Sequence, residues 1–259
     1  MKLSRAAWLL VAIALLLVIL VLFLPARWVA PLVQPRLHGM TLEDVHGLVW
    51  NGTADRLRGL DGRPLGRLRW QLSRSALWGR LDLRLDLAGP RVDARGHLQR
   101  DAQGRPVWSE VWLRTNLAGW APRLDSSLGA PQGTLTAELQ RVVLQGSWPI
   151  EAEGRIQWRD AVMKTRTLSV ALGDLGTNLD GANGVLAGRP HDLGRGPLQV
   201  DGQWQASPLG WRLDLLLQPR TTDPALRRWL ARLGRPEADG SVHLHRRGGL
   251  AASMPETAR

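Results

Sequence analysis

The sequence predicts a mainly β protein: one N-terminal transmembrane helix, then an antiparallel sheet with one or few short helices. Three observations predict it. Residues 6–24 carry no charge, leucine alternates with charged residues over 80–87, and glycine-rich turns rather than long crossovers separate such runs.

The first element is Ala6–Leu24, nineteen uncharged apolar residues. As a helix they reach about 28 Å, one hydrocarbon core. A secretory signal has a shorter apolar region and a small-x-small cleavage site, whereas this run ends in Phe23-Leu24-Pro25-Ala26-Arg27-Trp28, so retention as an anchor is expected. Lys2 and Arg5 lie in the short leading flank, which places residues 1–5 in the cytoplasm and the long trailing domain on the opposite side. Trp8 and Trp28, near the two ends of the span, read as interface anchors. Pro25 to Leu37 holds three prolines among apolar residues and suits a short helix or stalk, so residues 25–40 form a juxtamembrane segment.

From residue 41 to 250 the chain reads as β-rich. In Arg80 to Leu87 every leucine faces one way and Arg80, Asp82, Arg84 and Asp86 the other, so one face is expected buried and one wet. The pattern returns at 68–72, 135–139, 156–158, 198–204 and 209–217. Turns such as 60–64 and 101–106 are too short for parallel crossovers, and a meander of hairpins follows. One soluble helix is expected, with Asp223 as N-cap, Pro224 in the first turn, Leu226, Trp229, Leu230 and Leu233 on one face, and a stop at Gly234. It should cover one end of the sheet. The run Gly173 to Gly184 is dense in Gly, Asn and Asp and reads as a loop between strands. Trp-Gly neighbours at Trp50-Asn51-Gly52 and Trp78-Gly79 suggest backbone turns or bulges beside large rings. Residues 251–259 lack periodicity and are expected to form a disordered tail.

Composition narrows the function. About 235 residues beyond the apolar segment suffice for one large β domain or two small ones. The absence of cysteine excludes disulfides, thiolate metal sites and thiol nucleophiles. Thirteen tryptophans against one phenylalanine and no tyrosine make Trp nearly the sole aromatic anchor available to core or interface. The net charge is +11; without Lys2 and Arg5, 32 basic residues stand against 23 acidic ones, about +9. Such a domain attracts polyanions, and beyond a membrane these are lipid head groups and acidic proteins rather than nucleic acid.

No phosphate-cradling loop, GxGxxG, HExxH or GxSxG occurs, so no catalytic, cofactor-binding or metal residue is assigned. His243 and His245 share a strand face and could share an ion, but no third ligand is near in sequence and a solvent-facing pair is the simpler reading. Glu151 and Glu153 likewise read as wet-face residues rather than paired acids. Arg227, Arg228 and Arg232 on the expected helix, with Arg246 and Arg247 after the histidines, form a candidate basic interaction patch.

Segments along nearly the whole chain resemble protein N of the bacterial type II secretion system. They are 45–52, Trp70-Gln71-Leu72 followed by Leu77 to Leu81, Gly154 to Ala161 before Leu172-Gly173, and Leu233 to Gly240, in that order behind a single anchor. The resemblance implies a non-enzymatic accessory component of the inner membrane of a Gram-negative bacterium, with its domain in the periplasm. Its partners would be other secretion subunits, the secretin foremost, together with membrane lipids. The family is also similar to AsmA-like periplasmic proteins, which implies a curved, elongated antiparallel sheet whose apolar groove could instead serve a lipid-binding role in envelope biogenesis. A leucine-lined face needs a cover, which a second sheet, the 223–233 helix or a lipid could supply.

Overall fold

In the computed structural model the described residues are 8, 13, 15–16, 19–37, 39–120, 128–194 and 196–249. Segment 1–5, nine of the nineteen residues of the expected span at 6–24 and the tail at 251–259 lie outside them. Among the described residues no helix is long and apolar enough to cross a membrane. Residues 19–22 are helical, with the Phe23 amide donating to the Ile19 carbonyl at 3.0 Å.

The chain divides into two compact units, residues 1–90 and 91–259. In the first, the proline-rich segment folds into helix α1 (Ala26–Val33) and a 3-10 turn (Gln34–Leu37), with Ala26 buried and Pro25 bridged to Leu48. Four strands follow, β1 (Thr41–Gly47), β2 (Asn51–Arg58), β3 (Pro64–Leu72) and β4 (Asp82–Ala88), each antiparallel to its chain neighbour. Their register aligns Val45, Ala54, Leu68 and Leu87 across the sheet, and beside them Gly52, Trp70 and Leu85. The expected alternation in β4 is present, with Arg84 and Asp86 exposed. Its leucines are only half-buried, however: Leu83, Leu85 and Leu87 lie opposite Leu72, Trp70 and Leu68 of β3.

The second unit continues the same rule over nine strands: β5 (Val92–Arg100), β6 (Pro106–Asn116), β7 (Ala130–Gln145), β8 (Trp148–Lys164), β9 (Ser169–Ala182), β10 (Val185–Asp192), β11 (Leu198–Ser207), β12 (Gly210–Pro219) and β13 (Val242–Gly249). Spatial order is chain order throughout, so hairpins suffice and no crossover is needed. The turn after β5 is closed by Asp101, whose carboxylate accepts from the Gln103 and Arg105 amides at 2.9 and 2.8 Å.

The run 173–184 is not a loop. Residues 173–182 lie within the fourteen-residue β9, and only Asn183 and Gly184 make the turn. Glycine is required there by the neighbouring strands rather than by chain reversal: a Cβ on Gly181 would sit 2.6 Å from the Leu186 side chain and 2.9 Å from the Ala152 nitrogen.

The soluble helix, α2 (Pro224–Leu233), forms where its caps place it, with the Asp223 carboxylate accepting from the Ala225 amide at 2.8 Å. Leu226, Trp229, Leu230 and Leu233 are buried against Ala161, Val170, Leu172, Leu198, Val200, Leu217 and Val242. The Trp229 indole N–H donates to the Leu128 carbonyl at 2.9 Å, which fixes the helix on the sheet.

Tryptophans and glycines do meet, but mainly across strands rather than along the chain. Trp70 of β3 lies over Gly52 of β2, where a Cβ would come within 2.2 Å of the ring, and its N–H donates to the Val49 carbonyl at 3.0 Å. Trp204 of β11 lies over Gly188 of β10 and donates to the Thr177 hydroxyl at 3.3 Å. A large ring over a glycine fills the hole that the missing side chain leaves in the sheet surface.

Candidate functional site

Because side chains alternate, cross-strand partners share a face, and the registers of the second unit bring apolar residues into continuous rows. One row runs Val111, Leu139, Gly154, Leu179, Gly188, Trp204 and Leu213 from β6 to β12. Apart from the buried Gly188, these residues are half-buried. Helix α2 packs on the apolar residues at one end of this unit's sheet and buries Leu198, Val200, Leu217 and Val242, whereas the leucines of the row stay half-buried.

The five arginines of the expected basic patch separate into distinct settings. Arg227, Arg228 and Arg232 are exposed on α2, whose opposite side holds the buried leucines. Arg228 also donates to the Pro224 carbonyl at 3.1 Å, and Arg232 in the last turn complements the helix dipole. Arg246 reaches the Leu233 carbonyl at 3.4 Å, so the structure brings β13 and the helix C-terminus together. Arg247 follows the alternation onto the other face of β13, opposite Arg212 of β12. The contact between Arg246 and the helix end was missed by sequence reasoning, because it joins residues thirteen apart through tertiary packing alone.

His243 and His245 are both exposed. His243 lies 3.4 Å from Glu237, and His245 bonds to Asp214. Among the described residues no three His, Cys, Asp or Glu side chains gather as a metal site would need. Glu151 meets Arg141 at 3.4 Å, an exposed ion pair between β7 and β8.

Asp192, at the end of β10, is a largely buried acid with a side chain 11% exposed. It accepts from the Arg220 guanidinium at 2.7 Å and from the Val200 and Gly194 amides at 3.3 Å each. Burial pushes its carboxyl up, but the Arg220 and amide hydrogen bonds outweigh this and hold it below the ordinary aspartate value. Glu43 on β1 is lowered chiefly by its hydrogen bond from Arg58 at 2.6 Å. Each of these acids braces a strand or turn.

Two antiparallel meanders stabilised by Trp–Gly stacking and bracing ion pairs, with arginines displayed on a packed helix, define a surface-presenting β protein. The model of the family "Type II secretion system (T2SS), protein N" matches residues 38–245, and the chain belongs to that family. It is thus a component of the type II secretion machinery. No curated protein and no solved structure matches the chain.

Proposed function

We propose that this protein is a non-enzymatic accessory component anchored in the inner membrane by residues 6–24, and that its periplasmic units dock other secretion subunits, the secretin foremost. The observation that carries this reading is the α2 surface. Arg227, Arg228 and Arg232 project from a helix whose inner side is fully buried, so the charges sit on a rigid support rather than a flexible loop. A domain near +9 draws in acidic surfaces within about a Debye length, and a rigid cationic patch turns that attraction into an oriented contact. Arg246, held at the helix C-terminus, extends the patch; Arg247 belongs to the opposite face of β13.

The test is binding of the full chain in detergent to the periplasmic part of the secretin, measured by calorimetry or light scattering. The expected result is a complex that weakens from ~0.05 to ~0.5 M salt and is lost in Arg227→Glu/Arg228→Glu/Arg232→Glu. Unchanged affinity in the triple variant would remove the helix from the docking site.

The half-buried row from Val111 to Leu213 favours a second reading, in which the apolar face shelters a lipid acyl chain as an AsmA-like module would. Phospholipid retained in stoichiometric amount, with no affinity for any secretion subunit, would make that the better account.

A further inference from the structure

We propose that the turn between β3 and β4, residues 73–81, is a second membrane contact that rests on anionic phospholipid head groups beside the N-terminal segment. This deepens the anchored reading above and depends on it.

The turn is built to hold an aromatic side chain in solvent. Ser73 caps the 3-10 segment Arg74–Trp78, its hydroxyl accepting from the Ser75 amide at 3.2 Å. The Arg80 amide donates to the Ser75 carbonyl at 3.1 Å, the Ser75 hydroxyl donates to the Arg80 carbonyl at 3.0 Å, and Gly79 closes the turn at φ 79°. On this tightly bonded frame Leu77 is 49% and Trp78 76% exposed, the latter the highest value of any tryptophan among the described residues. Arg74 and Arg80 flank them and are also exposed. A flexible loop could fold such a ring back onto the sheet; this one is fixed outward.

Its place in the first unit supplies the partner. The Trp50 indole N–H donates to the Val21 carbonyl at 2.9 Å and the Val49 amide to the Leu24 carbonyl at 3.0 Å, tying the β1–β2 turn to the end of the apolar segment. That turn also accepts from Trp70 and Leu72 at the end of β3, and the Ser73 amide donates to Asp82 at the start of β4. The 73–81 turn therefore leaves the same sheet end that the apolar segment enters, with neighbouring strands about 5 Å apart. Phe23, Trp28 and Leu32 of that region are 63%, 57% and 72% exposed, and Arg27 is exposed too. Indole rings with arginines at the end of an apolar span match the head-group layer, where the rings find a half-apolar medium and the guanidinium groups find phosphate. The opposite end of β3 carries the 59–63 turn with Leu60, roughly 30 Å away along nine extended residues.

The absence of cysteine makes the experiment direct. Single variants Phe23→Cys, Leu60→Cys and Leu77→Cys of the full chain would be labelled with an environment-sensitive dye. They would then be reconstituted in phosphatidylethanolamine–phosphatidylglycerol vesicles carrying a head-group nitroxide lipid. The expected result is several-fold quenching at positions 23 and 77 and none at 60. Quenching at 23 without 77 overturns the second contact while leaving the anchor standing. Quenching at none of the three overturns the anchor and the contact together. Equal quenching at 60 and 77 shows a unit lying flat and overturns a contact specific to this turn. In the Leu77→Cys background, Arg74→Ser/Arg80→Ser should lower quenching on these vesicles and leave it unchanged on phosphatidylcholine alone. An equal change on both would overturn the preference for anionic lipid.

Discussion

Leu198, Leu217 and Val242, on strands packed against the α2 helix, are 1%, 4% and 0% exposed, whereas Leu83, Leu85 and Leu87 on β4 stay half-buried with a cleaner alternation of leucine and charge. The difference lies in what covers each face. Period two decides the side to which a strand turns its leucines, and a second layer packed on that side takes them further out of water; in the second unit α2 is that layer for Leu198, Leu217 and Val242. In the first unit the β4 leucines pair across the strands with Leu68, Trp70 and Leu72 of β3. The half-covered faces are accordingly the ones with surface left for another molecule.

The largest effect should come from uncovering the sealed face. Trp229→Ala removes a ring that is 6% exposed and its hydrogen bond to Leu128, and should destabilise the second unit by about 4 kcal/mol. Leu85→Ala in the first unit should cost only about 1 kcal/mol, since half its surface term is never gained. Denaturant unfolding of the two variants measures both, and equal losses would break the comparison. Even Leu85→Asp, ruinous on a sealed face, should cost only about 2 kcal/mol, because the carboxylate can turn to water.

A smaller effect tests the stacked rings. Gly188→Ala would place a Cβ 2.5 Å from both the Trp204 indole nitrogen and the Asn178 carbonyl oxygen, and backbone cannot yield as a side-chain tip does. A loss of about 2 kcal/mol is expected, with a shift in tryptophan emission as the ring lifts. No loss would mean that the ring packs elsewhere.

The sealed end was legible in the sequence and the stacked rows were not. Asp223, Pro224, the four buried residues and Gly234 are local signals of a helix, each acting within a turn or two, so α2 could be placed to the residue. The 173–184 run misled because Gly, Asn and Asp signal turns only when the backbone is what needs them. In β9 glycine instead answers crowding from β8 and β10, and that need is written in residues of other strands. The candidate arginines divide the same way. Those on α2 follow from helical spacing, whereas Arg246 meets the helix end only because β13 pairs with β12.

An intermediate effect belongs to Asp192, whose carboxylate braces the end of β10 through Arg220 and the Gly194 and Val200 amides. Asp192→Ala should cost about 1.5 kcal/mol at neutral pH. Because its folded pKa is depressed, the stabilisation is complete above the ordinary aspartate value near 3.9 and disappears as pH falls through the lower folded value. The wild-type and variant stability curves should therefore run parallel at neutral pH and converge only in acid below about pH 4. Convergence at higher pH would show that Asp192 is not held in its charged form.

The smallest effect is expected on the wet face of β4 and sharpens the comparison from the other side. Arg84 is exposed, and its cross-strand neighbour Gln71 is exposed as well, so its charge is solvated with or without the sheet. Arg84→Ser removes a long stem but leaves no buried group without a partner, and should change stability by well under ~1 kcal/mol. Measured beside Leu85→Ala, it compares adjacent residues on opposite faces of one strand. If the arginine change costs as much as the leucine change, the two faces of β4 are energetically alike. The half-buried leucines would then owe nothing to facing inward, and the face would have to be covered by a partner before its burial could count.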